Sequence, residues 1–249
     1  MNKCILWIIV FISVLIAVKA DINKTAVVSI IPITANNSNL SDERLKKDIV
    51  SLESVWDKIK GIEIVKYIYD KPFNAYSKDY NKKSKISEEF YLLFLYPEDR
   101  DNPIMRKAVN WNGPCEAEHN YGDYYDCGVE INYPKPESIR FKGKVFVLSD
   151  FKVTSAGAVF VGLIKDYSIG KIIGTETDQS PSNDGQGCYF LLPNSNVMAM
   201  GATTYAIRPN GDPSTTRGVI PDYEVTQLKE DTEKGIDTVM DFTMKLINK

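Results

Sequence analysis

Ser155 is the residue whose neighbours best suit it to chemistry. It follows the apolar run Gly143–Ser149 and the turn Val153-Thr-Ser-Ala-Gly157, and a helical apolar pattern begins directly after it. Backbone N–H groups in the first turn of a helix have no internal partner and point outward. Together with the helix dipole they can stabilise an oxyanion. A hydroxyl at this point can attack a carbonyl while the N–H of Ala156 receives the developing charge. The run Val-Thr-Ser-Ala-Gly is half of a G-x-S-x-G elbow, with Val153 in place of the first glycine. Serine is also a favoured helix N-cap, and capping alone would account for its presence.

A serine hydroxyl needs a base. The chain holds one histidine, His119, which excludes any mechanism that needs two. His119 could supply the base by folding back onto Ser155; a loop histidine without that role is the plainer reading. Glu176, Asp178 and Asp184 follow the serine and read as solvated loop carboxylates. Asp222 reads as a turn or strand-end residue. With one histidine and no carboxylates clustered at ligand spacing, no metal and no cofactor is implied.

The elements that must position Ser155 are legible in the C-terminal half. Gly143–Ser149 reads as a buried strand. Ala156, Val159, Phe160, Leu163, Ile164 and Tyr167 form one apolar helical face that ends at Gly170. Lys171–Gly174 is the next strand. Strand, turn, helix and strand in that order make a βαβ unit, so the class is α/β. Cys188–Leu192 and Asn196–Ile207 read as further strands, 209–213 as a turn, and Gly235–Ile247 as a closing helix.

The N-terminal half is less regular. Thr25–Pro32 reads as a short strand. Leu45, Ile49, Leu52, Trp56 and Ile59 recur at helical spacing, and Ile62–Tyr69 continues as a second helix that stops near Pro72. Glu89–Tyr96 is a strand or short helix. Residues 97–136 are rich in Asn, Asp, Gly, Pro and Tyr and read as a long irregular insertion.

Lys3 followed by the uncharged apolar run Ile5–Val18, with Ala20 closing a small-x-small pattern, reads as a secretory signal peptide over residues 1–20. The run is shorter than the roughly 20 residues that span a bilayer, so no stable membrane anchor is expected. The mature chain, 21–249, would be one exported domain, secreted into an extracellular or periplasmic space. There Cys115 and Cys127 can close a loop, with Cys188 left over. Pairing of Cys188 with either of the others, or three buried thiols, are the alternatives. The 249 residues carry a formal charge of −3 and 43% hydrophobic residues, which excludes a mainly disordered chain and a coiled coil. That balance gives no electrostatic drive toward nucleic acid.

Five segments in order carry a family resemblance: G-K-V-F-V-L at 143–148, V-T-S-A-G-A-V-F at 153–160, K-I-I-G-T-E-T at 171–177, L-P-N-S at 192–195 and R-G-V-I-P-D at 217–222. On these the chain resembles the tail-specific, or carboxyl-terminal processing, serine peptidase family from about Phe141 to its end. Ile62–Tyr76 also looks like the family's preceding helix. The resemblance implies a ClpP/crotonase-like core, Ser155 as nucleophile and a polypeptide substrate cleaved through an acyl-enzyme.

The departures are specific. One branch of the family carries a lysine base roughly 25 residues after its serine; Ser180 stands there, and no lysine lies between Lys171 and Lys229. The other branch takes a histidine from an aspartate-glycine-histidine motif that this chain lacks. The glycine-rich segment that supplies a second oxyanion N–H is also missing, and the junction Lys60–Gly61 is its natural place. A truncated or catalytically impaired member that binds peptides or apolar ligands is therefore the alternative to a working peptidase. The oligomeric state is not legible.

Overall fold

The computed structural model describes residues 5–10, 14–21, 25–32, 61–86, 115–116, 118–214 and 216–248, the first three segments by their backbone. The helical spacing at 45–59 and the element expected at 89–96 lie outside these residues.

The chain divides into two compact units. The first comprises residues 1–75, 131–181 and 208–249, and the second 76–130 and 182–207.

The first unit is built on a six-stranded sheet. Its strands are β1 (Ile5–Val10), β2 (Val14–Asp21), β3 (Thr25–Pro32), β8 (Lys144–Ser149), β9 (Lys171–Gly174) and β12 (Tyr223–Glu224), adjacent in that order. β1 and β2 pair antiparallel, as do β2 and β3. From β3 onward the pairing is parallel: Val27 opposite Phe146, Leu148 opposite Ile173, Tyr223 opposite Ile173 on the far side. The strand expected at Thr25–Pro32 is therefore a neighbour of the strand that leads to Ser155. The apolar run read as a leader takes part in this sheet, and a chain cut after Ala20 would keep β3 but lose β1 and nearly all of β2.

Helix α2 (Ser155–Asp166) connects β8 to β9. Residues 157–164 of this helix are all buried. A small residue lets it approach closely: a Cβ on Gly162 would meet the Pro181 ring at 2.6 Å. Alternation along β8 and β9 sorts their side chains. Phe146, Leu148 and Ile173 meet Val239, Met240, Leu246 and Ile247 of the closing helix α4 (Thr238–Ile247). Val145, Val147 and Ile172 take the other face. Both helices pack on β8 and β9, so the strand that delivers Ser155 is covered by apolar side chains. Helix α1 (Gly61–Ile68) packs on α2 through this buried layer. It begins at Gly61, so only one side of the Lys60–Gly61 junction is described. α4 starts at Thr238, later than the pattern from Gly235 suggests, because Asp237 caps it by accepting the Met240 N–H at 2.8 Å. A short helix α3 (Lys229–Glu233) precedes it. The pair β4 (Phe73–Asn74) and β7 (Ile131–Asn132) completes the unit.

The second unit is antiparallel. Its sheet runs in the order β10 (Asn183–Leu191), β11 (Met198–Ile207), β5 (Lys78–Lys82), β6 (Tyr124–Asp126). β10 begins five residues before the apolar stretch that marks it in the sequence, because Asn183 and Asp184 pair with Ala206 and Tyr205 despite being polar. Cys115 and Cys127 form a disulfide, and Cys188 is a buried thiol in β10.

Candidate functional site

The β8–α2 turn presents Ser155 in an unusual conformation. Thr154 occupies the N-cap position with extended backbone and makes no side-chain cap bond. Ser155 is the first helical residue, exposed, with φ +49°. A left-handed backbone costs a residue with a Cβ about 1–2 kcal/mol. Capping therefore does not explain the serine, since Thr154 holds that place. The first helical hydrogen bonds run from Gly157 and Ala158 to the Thr154 carbonyl, at 3.0 and 3.4 Å. Among the described residues the Ala156 N–H has no acceptor, as its place in the first helical turn requires.

The loop after β9 holds this turn. The Val153 carbonyl accepts the Asp178 N–H at 3.1 Å and the Gln179 N–H at 3.5 Å. The Gln179 side-chain oxygen accepts the Ser155 N–H. The loop is itself fixed by the segment Arg217–Asp222. The Thr177 hydroxyl accepts the Val219 N–H at 2.8 Å and donates to the Gln179 carbonyl at 2.9 Å. A Cβ on Gly218 would lie 1.8 Å from the Thr177 carbonyl oxygen, so only glycine fits there. Arg217 makes a forked ion pair with Glu176. That contact holds the Glu176 carboxyl below the usual glutamate range.

Asp222 is structural, as its place in the sequence suggested. Its carboxylate accepts the Ile172 N–H at 2.8 Å and the Lys165 ammonium at 3.0 Å. Burial works to raise its pKa, but the Ile172 N–H, Lys165 and Lys171 outweigh that and leave it below the usual aspartate range. Asp178 is exposed, and Asp184 is exposed on β10 of the second unit. Ser180, at the spacing of a lysine base, is buried.

His119 belongs to the second unit and Ser155 to the first. The imidazole stacks on Tyr125 at 4.6 Å between ring centroids. The Lys83 ammonium donates to the His119 carbonyl at 2.7 Å and to the Glu116 carbonyl at 3.0 Å, inside the loop that the disulfide closes. Among the described residues no group of three or more His, Cys, Asp or Glu side chains could hold a metal ion.

Residues 59–225 match the model of peptidase family S41. The chain belongs to this family. Two crystal structures share its fold. A proposed peptidase from Parabacteroides merdae superposes with a TM-score of 0.52 at 16% identity, over 95% of this chain and 65% of that one. A serine-to-alanine mutant of CPAF superposes with a TM-score of 0.52 at 14% identity, over 94% of this chain and 54% of that one. The chain thus spans about half to two thirds of the length of these relatives. No curated protein matches. Within the family match, Gln179 went unread in the sequence. Its signal is indirect: it follows I-G-T-E-T by two residues, on the loop that R-G-V-I-P-D fixes.

Proposed function

We propose that this chain is a serine-type peptidase in which Ser155 attacks a carbonyl of an extended polypeptide. The observation that carries the reading is the exposed Ser155 at φ +49° on the first turn of a buried helix. Backbone strain at an exposed serine is what a nucleophile elbow needs and what a cap does not. In the reaction the Ser155 oxygen bonds to the carbonyl carbon, and the Ala156 N–H receives the oxyanion. The amine leaves with a proton, and water then releases the acyl group. The proton that Ser155 gives up reaches that amine through a base; His119, the sequence's candidate, stacks on Tyr125 in the second unit and is not assigned that role. Membership of family S41 supports hydrolysis of peptide bonds as the reaction class. We read the parallel sheet with its helices as a ClpP/crotonase-like core.

We also propose that the chain is exported, with residues 1–20 as its leader. The Cys115–Cys127 disulfide supports this, since such bonds persist in oxidising compartments. Among the described residues no helix is long and apolar enough to cross a membrane.

A fluorophosphonate probe tests the peptidase reading. Purified chain should label at Ser155, and Ser155→Ala should not. A native chain that takes no label, while a partner serine peptidase in the same tube does, would leave a peptide-binding role as the better description.

A further inference from the structure

We propose that Gln179 is a positioning residue that holds Ser155 in its left-handed conformation. The proposal rests on the peptidase reading only for its functional consequence; its structural content stands apart. Ser155 cannot reach the left-handed region without cost, so its surroundings must fix it there. The helix does not do so, because the first intrahelical donors are Gly157 and Ala158. Thr154 does not do so, because its side chain makes no cap bond. The Ser155 N–H is bonded instead to the Gln179 side-chain oxygen.

The Gln179 backbone that carries this oxygen is held by a relay of named contacts. The Gln179 carbonyl takes the Thr177 hydroxyl proton, and the Thr177 oxygen takes the Val219 N–H. Thr177 is 2% exposed and its bond from the Val219 N–H is buried, which makes that bond costly to break. The Gln179 N–H and the Asp178 N–H close on the Val153 carbonyl, two residues before the serine. The Val153–Ser155 turn is therefore gripped at both ends by one loop. With the Ser155 N–H committed to Gln179, the Ala156 N–H is the donor left for an oxyanion. A carboxamide suits the task because it accepts a hydrogen bond without placing a charge beside a nascent anion.

The test uses the full chain and three variants. Gln179→Met keeps the length and removes the acceptor. Gln179→Ala removes the side chain, and Gln179→Glu restores an acceptor oxygen. Amide hydrogen exchange at Ser155 should be slow in the native chain and in Gln179→Glu. It should be about fivefold faster or more in Gln179→Met and Gln179→Ala, the size expected for one lost hydrogen bond. The amides of 160–164 should not change. Fluorophosphonate labelling of Ser155 should fall about tenfold in maximal rate in Gln179→Met, at unchanged half-saturating probe concentration; Gln179→Glu should keep the Ser155 amide protected yet label more slowly than the native chain, because its charge opposes the nascent anion.

Ser155 exchange that is equal in the native chain and in Gln179→Met would overturn the proposal. So would faster exchange with unchanged labelling, since the bond would then exist without positioning the hydroxyl. If the native chain takes no label, the peptidase reading fails, and the exchange comparison alone decides whether Gln179 holds the turn.

Discussion

The turn that carries Ser155 and the loop that carries His119 are held by different means. Around Ser155 every restraint is noncovalent and comes from far along the chain: Gln179 on the amide, Asp178 on Val153, Gly218 and Val219 on Thr177. Around His119 the restraint is a covalent bond twelve residues long in sequence, helped by one lysine on two carbonyls. The first kind fixes each backbone atom and tolerates few substitutions. The second fixes the ends of a loop whose contents are held by short-range bonds, such as the His119 N–H to the Glu116 carbonyl at 3.2 Å. A nucleophile demands the first kind, because a small misplacement of its oxygen costs rate.

The largest expected effect is at Gly218. Gly218→Ala drives a methyl into the Thr177 carbonyl and should destabilise the first unit by more than about 3 kcal/mol. Hydrogen exchange of 144–149 and 155–166 should accelerate, while that of the second unit stays unchanged. Equal stability of this variant would mean that the noncovalent grip is loose, and the contrast between the two regions would collapse.

Next is the disulfide. Replacing both Cys115 and Cys127 by serine should cost about 3 kcal/mol, the loop-closure value for a ring of this size. The loss should appear in denaturant unfolding of 115–130 and leave labelling of Ser155 within about twofold.

The units should also answer oppositely to acid. In the first, Asp222 has its pKa lowered, so its contribution is complete above the ordinary aspartate value and lost as pH falls through the lower folded value. In the second, burial and then Asp126 raise the pKa of Asp79. The contribution of Asp79 is complete below the ordinary value and lost as pH rises through the raised one. Exchange measured between pH 3 and pH 6 should show this, with Asp222→Asn flattening the profile of the first unit and Asp79→Asn that of the second. At the alkaline end, burial and Asp79 push the Tyr76 hydroxyl from 10.0 to about 12. The second unit should lose stability across that interval, and Tyr76→Phe should abolish the loss.

The smallest effect is expected at His119. Its ring contact with Tyr125 is made by a half-buried side chain, and its carbonyl, not its imidazole, is what Lys83 binds. His119→Ala should keep Ser155 labelling within about twofold. A loss of a hundredfold or more would make His119 the base and join the two regions in one mechanism.

The strand, turn and helix at 143–170 were legible because burial on both sheet faces writes a continuous apolar run, and a helix buried all round from 157 to 164 writes small and apolar residues throughout, with the largest of them at helical spacing. The two glycine-bearing motifs were legible for a related reason: they meet. Gly218 lies against Thr177, and Asp222 binds Ile172. The function of Gln179 was not legible. It is one polar residue among Asp178, Ser180 and Ser182, and polar loops carry no period. The start of β10 was hidden likewise, since its first residues, Asn183 and Asp184, are held by ladder bonds and carry no hydrophobic pattern. The ends of α2 and α4 shifted by one to three residues because caps, not apolar spacing, set them.

The Cys115–Cys127 bond has a consequence for how damage to this chain would be seen. A single backbone cut anywhere between the two cysteines leaves both fragments tied together, with only one water added to the mass. On a gel without reductant the nicked chain migrates as the intact one, and reductant alone separates the pieces. Self-cleavage by a peptidase at its own exposed loop would therefore be silent until the disulfide is opened.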